Sequence, residues 1–338
     1  MIWLTWRQFR SQAAVLYALA FAIIIALACT GPRLAGLDPN ALLGRITSAD
    51  STLYSGGIAA MYALPALIGI FCGVPLVARE AEAGTHALVW NQTVTRTRWL
   101  AVKLTVTGLA AVAAMGLLSL AVTWWSAPID RLADLGTTSY DPRMSPLVFA
   151  ARGIVPLGYT AFAFVAGVTA GVLLRRTVAA MAVTLAVLAL VQLAIPLLVR
   201  PSLLPSVQET VAITSSTIEG VRANDAGVPE KVTTAAPADA WVLSNDTVDA
   251  SGQVVSLLPE SVWHCMPPPP SGGRPAAVLD LPAIHACFAQ LGDLGYKQVV
   301  AYQPATRFWA LQGAETALYL VLSALLTWLC FRSARRVH

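Results

Sequence analysis

Few residues in this chain are equipped for chemistry, and most of them sit in or beside long apolar runs. Four histidines, one of them the final residue His338, leave little for acid–base work. Neither H-E-x-x-H nor a G-x-S-x-G turn occurs, and no G-x-x-x-x-G-K-[ST] loop is present to cradle nucleotide phosphates. The chain is therefore not expected to be a P-loop ATPase or any other enzyme. Arg152 and Glu315 are the main ionisable residues inside apolar segments. Charges at membrane depth are functional candidates by default, and the plainer reading is two interfacial residues that snorkel or pair to fix helix packing. Cys265 and Cys287 lie in a polar region, where an oxidising compartment would join them across the proline run that begins at Pro267. His264 and His285 each stand within two residues of one of those cysteines. Free thiols and a Cys2His2 metal site are the alternatives; the spacing matches no standard finger, and no metal is expected.

The elements that carry these residues are built for lipid. Of the 338 residues 57% are hydrophobic and 12% charged, where a soluble domain needs about a quarter charged. Six segments reach the roughly 20 apolar residues that span a bilayer: 13–29, 56–78, 104–125, 147–174, 178–199 and 308–331. Pro65, Pro75 and Pro156 fall inside them, which neighbouring helices make tolerable. Residues 26–29 resemble a lipoprotein cleavage box only faintly, and five further apolar segments follow. An uncleaved first helix is expected.

Basic residues set the orientation. Arg7, Arg10, Arg79, Arg96, Arg98, Lys103, Arg175, Arg176, Arg332, Arg335 and Arg336 fall on one side. On the other, Arg33, Arg45, Arg131 and Arg143 are offset by Asp38, Asp50, Asp130, Asp134 and Asp141. The positive-inside rule places both termini in the cytoplasm of a cell with this chain in its inner membrane. It also makes Arg175-Arg176-Thr177 a tight cytoplasmic turn. The basic residues are thereby accounted for, and nucleic acid is not an expected partner. Residues 200–307 then lie outside the cytoplasm as a small α+β insertion, with an unstructured loop as the alternative. Alternation at 253–258 and 297–302 suggests strands, and 281–291 suggests a helix. The domains are 1–199, 200–307 and 308–338.

The most informative stretch is the loop 79–99 between the second and third spans. Glu80 and Glu82 stand at the foot of a helix, Gly84-Thr85 permits a sharp turn, and 86–92 is amphipathic. Thr95 can cap a helix beginning near Arg96. A short helix on the membrane surface flanked by charges is a docking element for a soluble partner, and an ordinary surface loop is the alternative.

The order Glu80-x-Glu82-x-Gly84-Thr85, a short apolar piece, Val94-Thr95-Arg96 and Lys103 resembles the permeases of ABC-2 type transporters. Thr93 stands where that family often has proline. The opening Met1–Arg10 looks like the amphipathic elbow helix of such permeases, and the stretch from Tyr302 to Trp309 looks like a signature of actinobacterial members. The resemblance implies an all-α polytopic membrane protein of about six transmembrane helices, with that elbow helix and the insertion between helices 5 and 6. It implies a permease subunit of an ATP-binding-cassette exporter, paired with a second permease chain. ATP and Mg would be bound by a separate P-loop ATPase, and this chain would carry no cofactor. Glu80, Glu82, Gly84, Thr85, Thr95 and Arg96 would form the coupling helix, and Arg175 and Arg176 a second contact. In the membrane lipid, Trp3 and Trp6 of the elbow would sit at the interface. A cargo is not readable, though an uncharged path favours a hydrophobic or amphipathic one. The rival reading is a membrane-anchored sensor or accessory protein that uses 200–307 to bind a ligand or partner.

Overall fold

The computed structural model describes residues 2–35, 44–82, 95–224, 228–266 and 280–336. It divides into two compact units, Met1–Leu204 with Thr306–His338, and Pro205–Ala305.

The first unit is helical. Its elements are α1 (Ile2–Ala35), α2 (Ser48–Ile68), α3 (Pro75–Glu82), α4 (Arg96–Asp134), α5 (Pro146–Phe149), α6 (Val155–Leu174), α7 (Thr177–Ala194) and α10 (Phe308–Arg336). Among the described residues six helices are long and apolar enough to cross a membrane: Tyr17–Ala35, Ser48–Glu80, Thr97–Asp134, Val155–Leu174, Thr177–Ser202 and Ala305–Arg335. The stretch expected as a separate elbow is continuous with the first span, because nothing between Arg10 and Thr30 is a glycine or proline that would break the helix.

Local chemistry fixes the starts of these helices. Thr47 and Asp50 exchange hydrogen bonds as a capping box ahead of α2. Thr95 caps α4 by accepting from the Arg98 amide. Between α2 and α3 the helix widens into a π turn, Gly69–Gly73, where α6 crosses it. A Cβ on Gly69 would come within 2.5 Å of the Ala163 carbonyl oxygen, and one on Gly73 within 2.6 Å of that of Phe164. A Cβ on Gly167 would overlap the Gly69 carbonyl in turn. Bare backbone on both sides allows an approach that larger residues forbid.

The second span starts at Ser48 rather than 56, and two further boundaries differ from expectation. The third helix continues past 125 to Asp134, carrying Asp130 into the helical body rather than a loop. The fourth, expected unbroken over 147–174, is interrupted between α5 and α6. Pro156 in the first turn of α6 supplies no amide, and Gly153 adopts φ +64°, a left-handed conformation that ends the preceding turn.

The second unit holds β1 (Val207–Ala212), β2 (Ile218–Ala223), β3 (Pro229–Thr234), β4 (Trp241–Val248), α8 (Leu281–Phe288), α9 (Gln290–Asp293) and β5 (Lys297–Gln303). β5 is the middle of an antiparallel sheet of order β1-β5-β4, with Val300 opposite Glu209 and Asn245. β2 and β3 pair separately. The core is Ile213, Ile218, Val232, Leu258, Val262, Cys265, Phe288 and Leu291. Buried Gln298 donates to the Val232 carbonyl and to Asn245 Oδ1, tying β3, β4 and β5 together. The expected strand at 253–258 reduces to a single bridge between Val248 and Val254. The turn at Asp249–Gly252, where Gly252 has φ +84°, reverses the chain, and Pro259 follows too soon for a ladder to grow.

Candidate functional site

Two regions of the helical unit gather the polar residues. The first lies at its arginine-rich end, where α3 stops and α6 turns into α7.

α6 ends at Leu174, and Arg175 takes φ +52° as its left-handed cap, so the chain reverses within two residues. α7 starts at Thr177 with its first amides unpaired, as at any helix N-terminus. Glu82, the last residue of α3, fills that position. Its Oε1 accepts from the Thr177 amide at 2.8 Å and its Oε2 from the Thr177 hydroxyl at 2.7 Å. The dipole of α7 favours an anion there. The Thr177 hydrogen bonds, aided by the Arg176 charge, hold the Glu82 carboxyl below the usual carboxylate range. Arg175 and Arg176 are exposed beside it. Two sequence regions named separately as contact elements, Glu82 and Arg175–Arg176, thus meet through one carboxylate.

Glu80 is turned inward instead. It pairs with Lys103 of α4, whose ammonium also lies 4.3 Å from the Trp99 ring centre. A lysine so buried keeps its charge at tolerable cost only with such partners. Thr95 is exposed and Arg96 is the first residue of α4. Gly84, Thr85 and the amphipathic piece 86–92 lie outside the described residues.

The second region surrounds the break in the fourth span. Arg152 and Glu315 are both buried, but they do not pair with one another. Arg152 grips Asp130 of α4 with Nε at 2.8 Å and Nη2 at 3.2 Å. The same carboxylate accepts from Tyr54 and Ser126, so its lone pairs are filled. Glu315 of α10 takes a two-pronged contact from Arg200, at 2.6 and 2.9 Å. Arg200 also donates to the Pro146 carbonyl and stacks 4.7 Å above the Phe149 ring. A third pair, Arg33 with Asp50, locks α1 to the capping box of α2.

Between these pairs the broken backbone is repaired by side chains. Gln312 of α10 accepts from the Ile154 and Val155 amides with Oε1 and donates to the Phe149 carbonyl with Nε2. Ser119 donates to the Gly153 carbonyl, and Thr123 accepts from its amide. Irregular backbone in an apolar setting survives only when protein satisfies it in this way. Replacing Gln312 by leucine would orphan the Ile154 and Val155 amides and leave the Phe149 carbonyl only the Arg152 amide as donor, and we expect a loss of about 2–3 kcal/mol. Glutamate in its place keeps the acceptor for both amides. Thermal scans of the purified Gln312→Leu and Gln312→Glu variants should therefore rank them in that order.

Asp130, Arg200 and Gln312 are the principal site residues that sequence reasoning missed, along with the hydroxyls of Tyr54, Ser119, Thr123 and Ser126. Asp130 read as loop charge and Arg200 as the first residue of the insertion. A helical projection of 104–134 would have put Asp130 one turn beyond Ser126, the only signal available.

In the second unit Cys265 and Cys287 form a disulfide, with Cα atoms 5.6 Å apart. It ties the short 3-10 helix Glu260–Cys265 to α8.

Comparison with known proteins adds the remaining fact. Neither a curated protein nor a solved structure matches the chain. A family model described as ABC-2 membrane transporter related matches residues 9–200, more than half of the sequence, from α1 through Arg200. The six apolar helices, the small β-containing unit and that match agree: the chain belongs to the ABC-2 membrane transporter related family, as a transmembrane component of a transporter.

Proposed function

We propose that this protein is the permease subunit of an ATP-driven exporter, whose energy comes from a separate P-loop ATPase that binds ATP and Mg. The observation that carries this reading is the Glu82–Thr177 contact. It joins the end of the second span to the turn between the fourth and fifth spans. Such a joined surface, with Arg175 and Arg176 exposed on it, suits a soluble partner that pushes on both loops at once. Gly84 and Thr85 would extend it as the coupling helix, with Thr95 and Arg96 at its far side.

In this reading the arginine-rich end faces the cytoplasm, both termini are cytoplasmic and 200–307 is extracytoplasmic. A second permease chain completes the transport path. A hydrophobic or amphipathic cargo is favoured by the apolar helix surfaces and by a groove of about 340 Å³ between α1 and α4, lined by residues such as Tyr17, Phe21, Ile24 and Leu117. When partner subunits close on ATP, the joined loops are drawn together and the rigid helices carry the motion to the buried pairs at the other end.

The test is reconstitution in lipid with the ATPase that co-purifies with the chain, reading vanadate-sensitive ATP hydrolysis. Glu82→Gln and Thr177→Val should each reduce co-purified ATPase several-fold while leaving the permease folded. Association unchanged in both variants would defeat the docking assignment. Because the Glu82 carboxyl is held below its ordinary range, the contact is present above that range and lost only as pH falls through the lowered value. Association should therefore be flat between about pH 6 and 8 as far as Glu82 is concerned.

A further inference from the structure

We infer that His264, Cys265 and Cys287 form a redox-gated site for a soft divalent cation such as zinc, closed while the disulfide stands and opened by its reduction. The ligand atoms of these three residues lie within 4.8 Å of one another. His264 Nε2 is 3.6 Å from Cys287 Sγ and 3.9 Å from Cys265 Sγ. A tetrahedral zinc with Zn–S of about 2.3 Å and Zn–N of about 2.05 Å has S···N edges of about 3.5 Å and S···S edges of about 3.8 Å. The imidazole already stands at that S···N distance from the Cys287 sulfur and slightly beyond it from the Cys265 sulfur. Only the sulfurs must part, from bonded to non-bonded separation, and breaking their bond does that.

The surroundings suit such a site. Cys265 is anchored in the core beside Val262, Phe288 and Leu291, which gives one fixed vertex. Cys287 is half-buried near the end of α8, so rotation of its side chain parts the sulfurs with the backbone in place. His264 is exposed. A cation can enter from that side, and the fourth position is left to water. His285, the other histidine near the pair, is not part of this group. Two thiolates and an imidazole select zinc, cobalt(II) or cadmium over magnesium or calcium.

The chemistry balances with a thiol reductant. Two reductant thiols form one disulfide and pass their hydrogens to Cys265 and Cys287, whose Sγ–Sγ bond breaks. The cation then displaces those two protons to solvent as it binds the thiolates. The site is independent of the transport assignment.

The experiment uses the full chain in detergent, oxidised or reduced with a thiol that is then removed, and cobalt(II) as the probe. The reduced protein should bind one cobalt with sulfur-to-metal charge-transfer absorption and tetrahedral visible bands, displaced by zinc, and the oxidised protein none. His264→Ala should weaken binding at least about tenfold, the loss already typical of removing an outer-shell partner. Cys265→Ser/Cys287→Ser keeps Cys29, Cys72 and Cys330 and so measures their contribution. A reduced protein without the charge-transfer band overturns the proposal, as does binding unaffected by His264→Ala or retained by the double serine variant.

Discussion

Arg200→Met is expected to destabilise the helical unit by about 3–5 kcal/mol, the cost of leaving one partner of a buried ion pair uncompensated. Glu315 has no exposed surface and would face an apolar side chain where two charge-assisted hydrogen bonds stood. The Pro146 carbonyl would lose the shorter of its two hydrogen bonds as well, keeping only the one from the Tyr62 hydroxyl. At about 2–4 °C per kcal/mol for a body of this size, the apparent melting temperature should fall by about 10 °C. Removing both charges, as Arg200→Met/Glu315→Leu, should recover most of that loss, because a buried pair replaced by packed apolar groups is often neutral. Tryptophan fluorescence during heating of the detergent-purified variants reads both results. A single variant that melts within about 2 °C of the parent would mean that water reaches Glu315 and that the pair does not hold α10 to α5.

Gly167 should be still less forgiving. A Cβ there would overlap the carbonyl oxygen of Gly69, and behind that oxygen lies helix backbone rather than a side chain that can swing away. Overpacking costs about 1–3 kcal/mol even where side chains can yield. Here α2 and α6 must separate along the π turn, disturbing the contacts of Gly73 and Gly171 with the facing backbone too. We expect Gly167→Ala to cut the yield of monodisperse protein sharply and Gly167→Val to abolish it. Gly313 on α10 is the control, because a Cβ there meets nothing within 4 Å. Gly313→Ala should be neutral or stabilise by a few tenths of a kcal/mol up to about 1 kcal/mol. Size-exclusion profiles of the three variants decide it, and equal behaviour at 167 and 313 would show that the two helices are not in backbone contact.

What the sequence revealed, and what it hid, follows from how far apart the interacting residues stand. Helix starts are local, so the Thr95 cap was legible from Thr95-Arg96 alone. The spans were legible from the length of the apolar runs. Arg152 and Glu315 stood out because charge is rare in such runs, yet their partners did not. Arg152 finds Asp130 across 22 residues and Glu315 finds Arg200 across 115, and no periodicity links them. The Glu82–Thr177 contact, at a separation of 95, was hidden for the same reason, although both loops had been singled out. In the second unit, β5 and α8 showed their alternation and helical spacing. β2, β3 and β4 read only as polar stretches, because their exposed faces and the half-buried Asn245 amide dilute the apolar signal.

The bridge made by Gln312 sets an order of assembly. The amides of Ile154 and Val155 wait for an acceptor 158 and 157 residues further along the chain. At about 5–20 residues per second of synthesis, those groups go without it for roughly 8–30 s after they leave the ribosome. Glu315 and its claim on Arg200 arrive on the same late helix. That late helix is thus the clasp of the fourth span, and a nascent chain halted before it would present its quality-control machinery with an unfinished fourth helix and an Arg200 without its carboxylate.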